Sequence, residues 1–172
     1  ILDRCDQLAK LTSMENGIER DYLSPQMAEA YKLTAGWLED AGIATHIDQA
    51  GNLVGRLEGR EPGLPALVLG SHLDSVPDAG KYDGILGVVA SVSVAAHLAR
   101  SGKNKELPFA IEVLGFGDEE GARFGATLLG SYAFSGGWRN EWLDRIDRNG
   151  ISMRQAFIDF GLDPEKIDEA AR

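Results

Sequence analysis

The stretch Ala66-Leu67-Val68-Leu69-Gly70-Ser71-His72-Leu73-Asp74-Ser75-Val76-Pro77, followed by Lys81-Tyr82-Asp83-Gly84, decides how this chain is read. Ala66 to Leu69 is a short apolar run, consistent with a strand covered on both faces. Side chains alternate across a strand, so His72 and Asp74 share a face if the extended geometry persists. A metal-binding imidazole whose second ring nitrogen is held by a carboxylate has that arrangement. Asp83 then returns, after a Gly-containing loop, with a hard oxygen ligand. Asp118-Glu119-Glu120-Gly121 supplies the second half of the site. Together they describe a metallohydrolase centre, part of which lies outside this sequence.

Working outward, Leu86 to Arg100 has apolar residues at helical spacing (Leu86, Val89, Val92 or Ser93, Ala96), and Phe109 to Phe116 reads as the next strand. Strand, helix and strand with a long crossover make a βαβ unit, whose parallel strands belong in a sheet covered by helices. The chemistry-bearing residues then come just after strand carboxyl ends, where open α/β sheets place ligands. On the N-terminal side, Ile1, Leu2, Cys5, Leu8 and Leu11 mark a helical face closed by Asn16-Gly17. Ser24-Pro25 begins a second helix with a capping hydroxyl and Pro at its first position. Its buried stripe is Met27, Ala30, Tyr31, Thr34, Trp37 and Leu38. Residues 43–48 and 52–57 form a hairpin around Gln49-Ala50-Gly51. Beyond Arg123 the pattern is helical in pieces: around Thr127 to Leu129, Asn140 to Arg148, Ser152 to Phe160, and Asp163-Pro164 to Arg172. The fold expected is α/β, a mainly parallel open sheet with helices on both faces plus the antiparallel hairpin.

Composition narrows the function classes. The sequence has 172 residues, 44% hydrophobic and 26% charged, which suits one globular domain. A formal net charge of -10 argues against a nucleic-acid partner, which would call for clustered Lys and Arg. The single cysteine, Cys5, excludes an intrachain disulfide and a zinc site built from several thiolates. No uninterrupted apolar run reaches the ~18 residues of a membrane span. Charges interrupt the first residues, so no signal peptide is expected, and a reduced, cytoplasmic setting is the expectation.

Taken singly, each site residue has a plain structural reading. A lone His after a strand is commonly a hydrogen-bonded structural residue, Asp-Gly is a turn, and Glu-Glu is a solvated surface. Their combination in one βαβ arrangement points to a metal. His72 is then a ligand and Asp74 its orienting partner. Asp83 suits a bridge between two ions, because it has two oxygens and paired metals sit ~3.5–4 Å apart. Of Glu119 and Glu120, one binds metal while the other takes a proton from activated water. If the backbone is extended there, they point to opposite faces; in a loop they flank one site. His46 and His97 lack acidic partners at useful spacing and read as structural. Gly115-Phe116-Gly117 with Gly121 nearly matches a dinucleotide-binding fingerprint. Its spacing is wrong by one residue, and its three acidic residues repel a pyrophosphate while favouring a cation.

These residues also carry a family resemblance. Gly-Ser-His72-Leu-Asp74-Ser-Val-Pro, Tyr82-Asp83-Gly84 and Glu119-Glu120-Gly121-Ala-Arg123-Phe124-Gly125 resemble the N-carbamoyl-L-amino-acid hydrolases and allantoate amidohydrolases. These belong to the broader di-zinc group of aminoacylases and carboxypeptidase G-type peptidases. Ala50-Gly51-Asn52-Leu53-Val54-Gly55-Arg56-Leu57 and Leu128-Leu129-Gly130-Ser131 are similar in style, so residues 10–137 are mostly covered. The resemblance implies that His72 and Glu120 bind different metals, that Asp83 bridges them, that Glu119 is the general base and that Asp74 orients His72. Ser75 stands where Thr is commoner. The cofactors implied are two divalent ions, Zn or Mn, Co or Ni. The substrate implied is a small ureido or amide compound, and the full-length enzyme would be a homodimer.

Such enzymes take further His ligands from later sequence and insert a dimerisation or lid domain. His97 is the last histidine here, so residues 1–172 are expected to be the N-terminal part of a catalytic domain, weak in metal binding and inactive alone. The leading expectation is cleavage of a ureido or carbamoyl C–N bond by metal-activated water. A metallopeptidase or aminoacylase of the same group is the alternative, distinguished only through Arg123 and Phe124. A non-catalytic α/β binding module is the third.

Overall fold

The computed structural model describes residues 1–172. Helix α1 covers Leu2–Ala9 and α2 covers Pro25–Glu39. Strands β1 (Ala44–Ile47) and β2 (Leu53–Leu57) form the hairpin. Strand β3 (Ala66–His72), helix α3 (Ile85–Ser101) and strand β4 (Ala110–Phe116) form the βαβ unit. Helices α4 (Leu129–Phe134) and α5 (Met153–Phe160) come next, with 3-10 turns at Lys103–Glu106, Asn140–Asp144 and Pro164–Ala170. No helix is long and apolar enough to cross a membrane.

Local chemistry fixes α2 closely. Ser24 Oγ accepts the Met27 N–H at 3.1 Å, Pro25 opens the first turn, and the six expected stripe residues are buried. Each large apolar side chain buried this way contributes about 1.5–3 kcal/mol. Helix α1 instead stops at Ala9, well before Asn16-Gly17. Thr12 Oγ1 accepts the N–H groups of Met14 and Glu19, which draws the backbone into a turn.

The sheet has the order β1-β2-β4-β3. Only β3 and β4 are parallel; β1 with β2 and β2 with β4 are antiparallel. The expectation of a mainly parallel sheet is therefore corrected within the α/β class. The hairpin lies directly against β4, so parallel geometry is confined to the pair that α3 connects.

Leu53, Leu57, Ile111 and Val113 face α1, α2 and α3 in one core. Alternation puts Glu112 and Phe116 on the opposite face. There Phe116 meets Phe134 of α4 edge-on, and Glu112 Oε1 accepts from Arg56 and Arg172. Helical segments thus lie on both faces. A second core joins Tyr22, Phe124, Leu129, Trp142, Met153 and Phe157.

Strand β3 is the sheet's edge, and its outer side has no strand partner. Leu67 is 50% exposed and Val68 39%, so the run is not covered on both faces as its composition suggested. The buried face of α3 is Ile85, Val88, Val89, Val92, Ala95 and Ala96, leaving Leu86 exposed and the expected stripe offset.

Candidate metal centre

Parallel register pairs His72 with Phe116, so β3 and β4 end level and the chain after each forms one cleft. His72 Nδ1 lies 3.0 Å from the Asp74 main-chain carbonyl and 3.6 Å from its carboxylate. The main chain, rather than the Asp74 side chain, makes the close contact. An Nδ1–H donated there leaves Nε2 free to face the cleft. Asp83 Oδ1 lies 3.9 Å and Glu119 Oε2 3.8 Å from that nitrogen. Ligand atoms of His72, Asp83 and Glu120 all lie within 4.8 Å of one another.

Gly84 brings Asp83 to His72. Its φ is +65°, and a Cβ added there would sit 2.5 Å from the imidazole ring. Only glycine lets the start of α3 approach so closely. Lys81 Nζ pairs with Asp6 Oδ1 at 2.6 Å, tying the same loop to α1.

The acidic half is a loop, not an extended strand end. Asp118 has φ +51°, and its Oδ1 accepts the Gly121 N–H at 3.1 Å. The turn lets Glu119 and Glu120 flank the site together. Asp74 fixes them from beneath: its carboxylate oxygens accept the main-chain N–H groups of Glu119 at 3.2 Å and Glu120 at 3.1 Å.

The cleft wall is built by long-range pairing. Leu128, Leu129 and Gly130 donate their N–H groups to the carbonyls of Glu119, Asp118 and Gly117. Buried Asn52 clamps this joint, accepting from Gly117 N–H and donating to the Gly130 carbonyl and Asp48. The cleft has a volume of about 520 Å³ and is lined by Ser71, His72, Asp83, Phe116, Glu119 and Leu128 among others. Leu128, at φ +62°, and Asp118 are non-glycine residues in the left-handed region, and such strain gathers at functional sites.

Electrostatics favour a cation. Burial lifts the Glu120 carboxyl above its ordinary range, and Asp83 adds to the effect. Burial, then Asp74, raise buried Asp118 to about 8. Burial lowers the His72 imidazole, but Asp74 and Glu119 outweigh it and raise the group to about 9. An ion at Nε2 would displace that proton and relieve the carboxylate crowding. One free imidazole nitrogen with two converging carboxylates is a fitting donor set for a divalent ion.

Arg123 and Phe124 lie away from this cleft. Arg123 Nε pairs with Asp147 at 3.0 Å, and Nη1 donates to the carbonyls of Tyr22 and Leu23. Phe124 is in the second core. Both anchor the segment that follows the acidic loop, Arg123 to Asp147 and to the Tyr22 and Leu23 carbonyls, Phe124 by packing. His46 lies in β1 and His97 in α3, outside the ligand cluster. Sequence reasoning missed Arg20 and Asp48 as supports of the site, and gave Asp118 no role of its own within its motif. Arg20 bonds to Leu73 and Ser75, 53 and 55 residues away, so no spacing marks it. Asp48 and Asp118 instead close their own turns, accepting the N–H groups of Ala50 and Asn52 and of Gly121, which an Asx-turn reading could have found.

The profile of peptidase family M28 matches residues 52–160. The chain belongs to this family. Among its relatives, the allantoate deiminase of Arabidopsis thaliana is 40% identical over 93% of the chain and 30% of its own length. The N-carbamoyl-L-amino acid amidohydrolase of Geobacillus stearothermophilus is 41% identical over 91% of the chain and 38% of its own. A hydantoinase/carbamoylase family amidase from Burkholderia ambifaria superposes with a TM-score of 0.83 at 30% identity, over 93% of the chain and 40% of that structure. The resemblance read from the His72, Asp83 and Glu119-Glu120 motifs thus agrees with relatives of the same names. The chain spans less than half the length of these proteins.

Proposed function

We propose that the whole protein is a metal-dependent amidohydrolase that cleaves a C–N bond in a ureido or N-carbamoyl compound. Residues 1–172 would be the N-terminal part of its catalytic domain, the remainder supplying a lid or dimerisation domain. The convergence of His72, Asp83 and Glu120 beside the Glu119 carboxylate carries this reading. The similar allantoate deiminase and carbamoylase support the substrate class.

His72 and Glu120 would each hold one of two ions, and Asp83 would bridge them. Zinc is the preferred ion for this donor set, with manganese, cobalt or nickel as substitutes. When bound, the ions supply Lewis acidity and lower the pKa of water toward ~7. Glu119 is 43% exposed at its side chain, open to the cleft, and its Oε2 would take the water's proton and pass it to the leaving nitrogen. Asp74 would keep His72 and both glutamates in register. Two four-coordinate ions need about eight ligand positions, so later sequence would add imidazoles. The protein would work as a cytoplasmic homodimer.

The test is a substrate panel on the metal-loaded full-length protein: an N-carbamoyl-L-amino acid, allantoate and a dipeptide. Ammonia release from a ureido compound, abolished by chelator and restored by metal, is expected. Dipeptide cleavage without ammonia would favour the second reading, a peptidase, which the M28 family profile supports. No turnover and no bound metal would leave a binding module.

A further inference from the structure

Arg20 lies between α1 and α2 and is fully buried. Its Nε donates to the Leu73 carbonyl at 2.6 Å, and Nη1 donates to the carbonyls of Leu8 at 2.9 Å and Leu11 at 2.6 Å. Its main-chain N–H meets Ser75 Oγ at 3.0 Å, and its carbonyl accepts the Ser75 N–H at 3.1 Å. One residue therefore grips the chain at both Leu73 and Ser75, on either side of Asp74.

Strand β3 is bonded only to β4, and its ladder ends at His72. From Leu73 onward the chain has no sheet to hold it. Leu73 stands between His72 and Asp74, so the direction of its carbonyl fixes the backbone that aims both side chains. A neutral side chain of similar volume would fill the space without the cost of burying a charge. The guanidinium adds a rigid fork of donors, joining the end of α1 to the end of β3. Burial draws its pKa down to about 10, opposed by the charge of Asp74, so it stays protonated at neutral pH.

We propose that Arg20 is a positioning residue of the metal centre, fixing the Leu73 carbonyl and the Ser75 main chain so that His72 and Asp74 stand correctly for the ion. The inference rests on the metallohydrolase reading and names a determinant of it outside the ligand set.

Zinc alone is titrated, by competition with a chromophoric chelator, into the full-length protein and its Arg20→Lys, Arg20→Met and His72→Ala variants, with circular dichroism to verify folding. Lysine keeps the buried charge but loses the fork. Folded Arg20→Lys should bind zinc about 10–100-fold more weakly, the usual effect of removing a group that orients ligands, and Arg20→Met at least as weakly. A residue that only stabilised the fold would lower the melting temperature and leave zinc affinity unchanged. Folded Arg20→Lys with wild-type affinity overturns the proposal. If neither Arg20 variant folds, Arg20→Gln decides, because its shorter neutral amide cannot reach the carbonyls of Leu73, Leu8 and Leu11 together: weaker zinc binding upholds the proposal and wild-type affinity overturns it. His72→Ala separates the two ideas. Unchanged zinc binding there would refute the metal reading itself, whatever Arg20 does.

Discussion

Asp74 Oδ2 accepts the main-chain N–H of Glu120 at 3.1 Å, a bond that spans 46 residues of sequence. The other carboxylate oxygen holds the Glu119 N–H, so one side chain sets the height of the whole acidic loop. Asp74→Asn turns one oxygen into a donor facing an N–H group. Zinc affinity should fall about 10–100-fold while far-UV circular dichroism stays as in the wild type. Calorimetric titration is the check, and undiminished affinity would show that the loop holds itself.

Gly84 abuts the His72 ring, with no room for a Cβ at 2.5 Å and φ at +65°. Gly84→Ala should therefore cost about 1–3 kcal/mol in backbone conformation alone, because φ +65° with ψ −48° lies outside the left-handed helical well. It should also turn the imidazole and weaken metal binding. Urea denaturation and zinc titration, run on the same sample, report the two effects separately. A fully stable variant with normal zinc affinity would contradict the close packing.

Glu119 and Glu120 should behave differently when neutralised. Glu119→Gln in the full-length protein keeps shape but cannot accept a proton, so kcat should fall ~10²–10⁴-fold with metal content nearly normal. Glu120→Gln should lose metal as well as rate. Bound metal and kcat are measured for both. The reverse pattern would exchange the two roles, and unchanged rates in both would remove the pair from catalysis.

Asp147 makes stability depend on acid. Burial alone pushes its carboxyl up, but the N–H groups of Ile151 and Asn149, together with Arg123, hold it below the ordinary Asp value. A depressed folded-state pKa contributes stability above the unfolded value of ~3.9, and loses it as pH falls through the folded value. Wild type should therefore exceed Asp147→Asn in denaturation midpoint at pH 7, and the gap should narrow below about pH 4. A gap independent of pH would assign the difference to packing.

Much of this architecture is legible in the chain because it is local. Ser24, Pro25 and the α2 stripe act within a few turns, and the His72, Asp83 and Glu119-Glu120 pieces carry their chemistry in their types. The illegible parts depend on distant neighbours. Arg20 looks like a solvated loop residue until α1 and β3 enclose it. Leu86 and Val68 look like core until the position of β3 at the sheet edge is known. Arg123 resembles a specificity mark in its motif, yet its fork is occupied by Asp147 and two carbonyls.

The open margin of β3 gives the isolated chain a templating surface. Leu67 and Val68 flank a row of unpaired peptide groups, and such an edge recruits another strand when left bare. Concentrated solutions of residues 1–172 should scatter light increasingly with time, as edges meet and pair. A gatekeeping lysine, Val68→Lys, should slow that growth without touching the cleft, because a charge on the strand's outer face repels an incoming copy of itself.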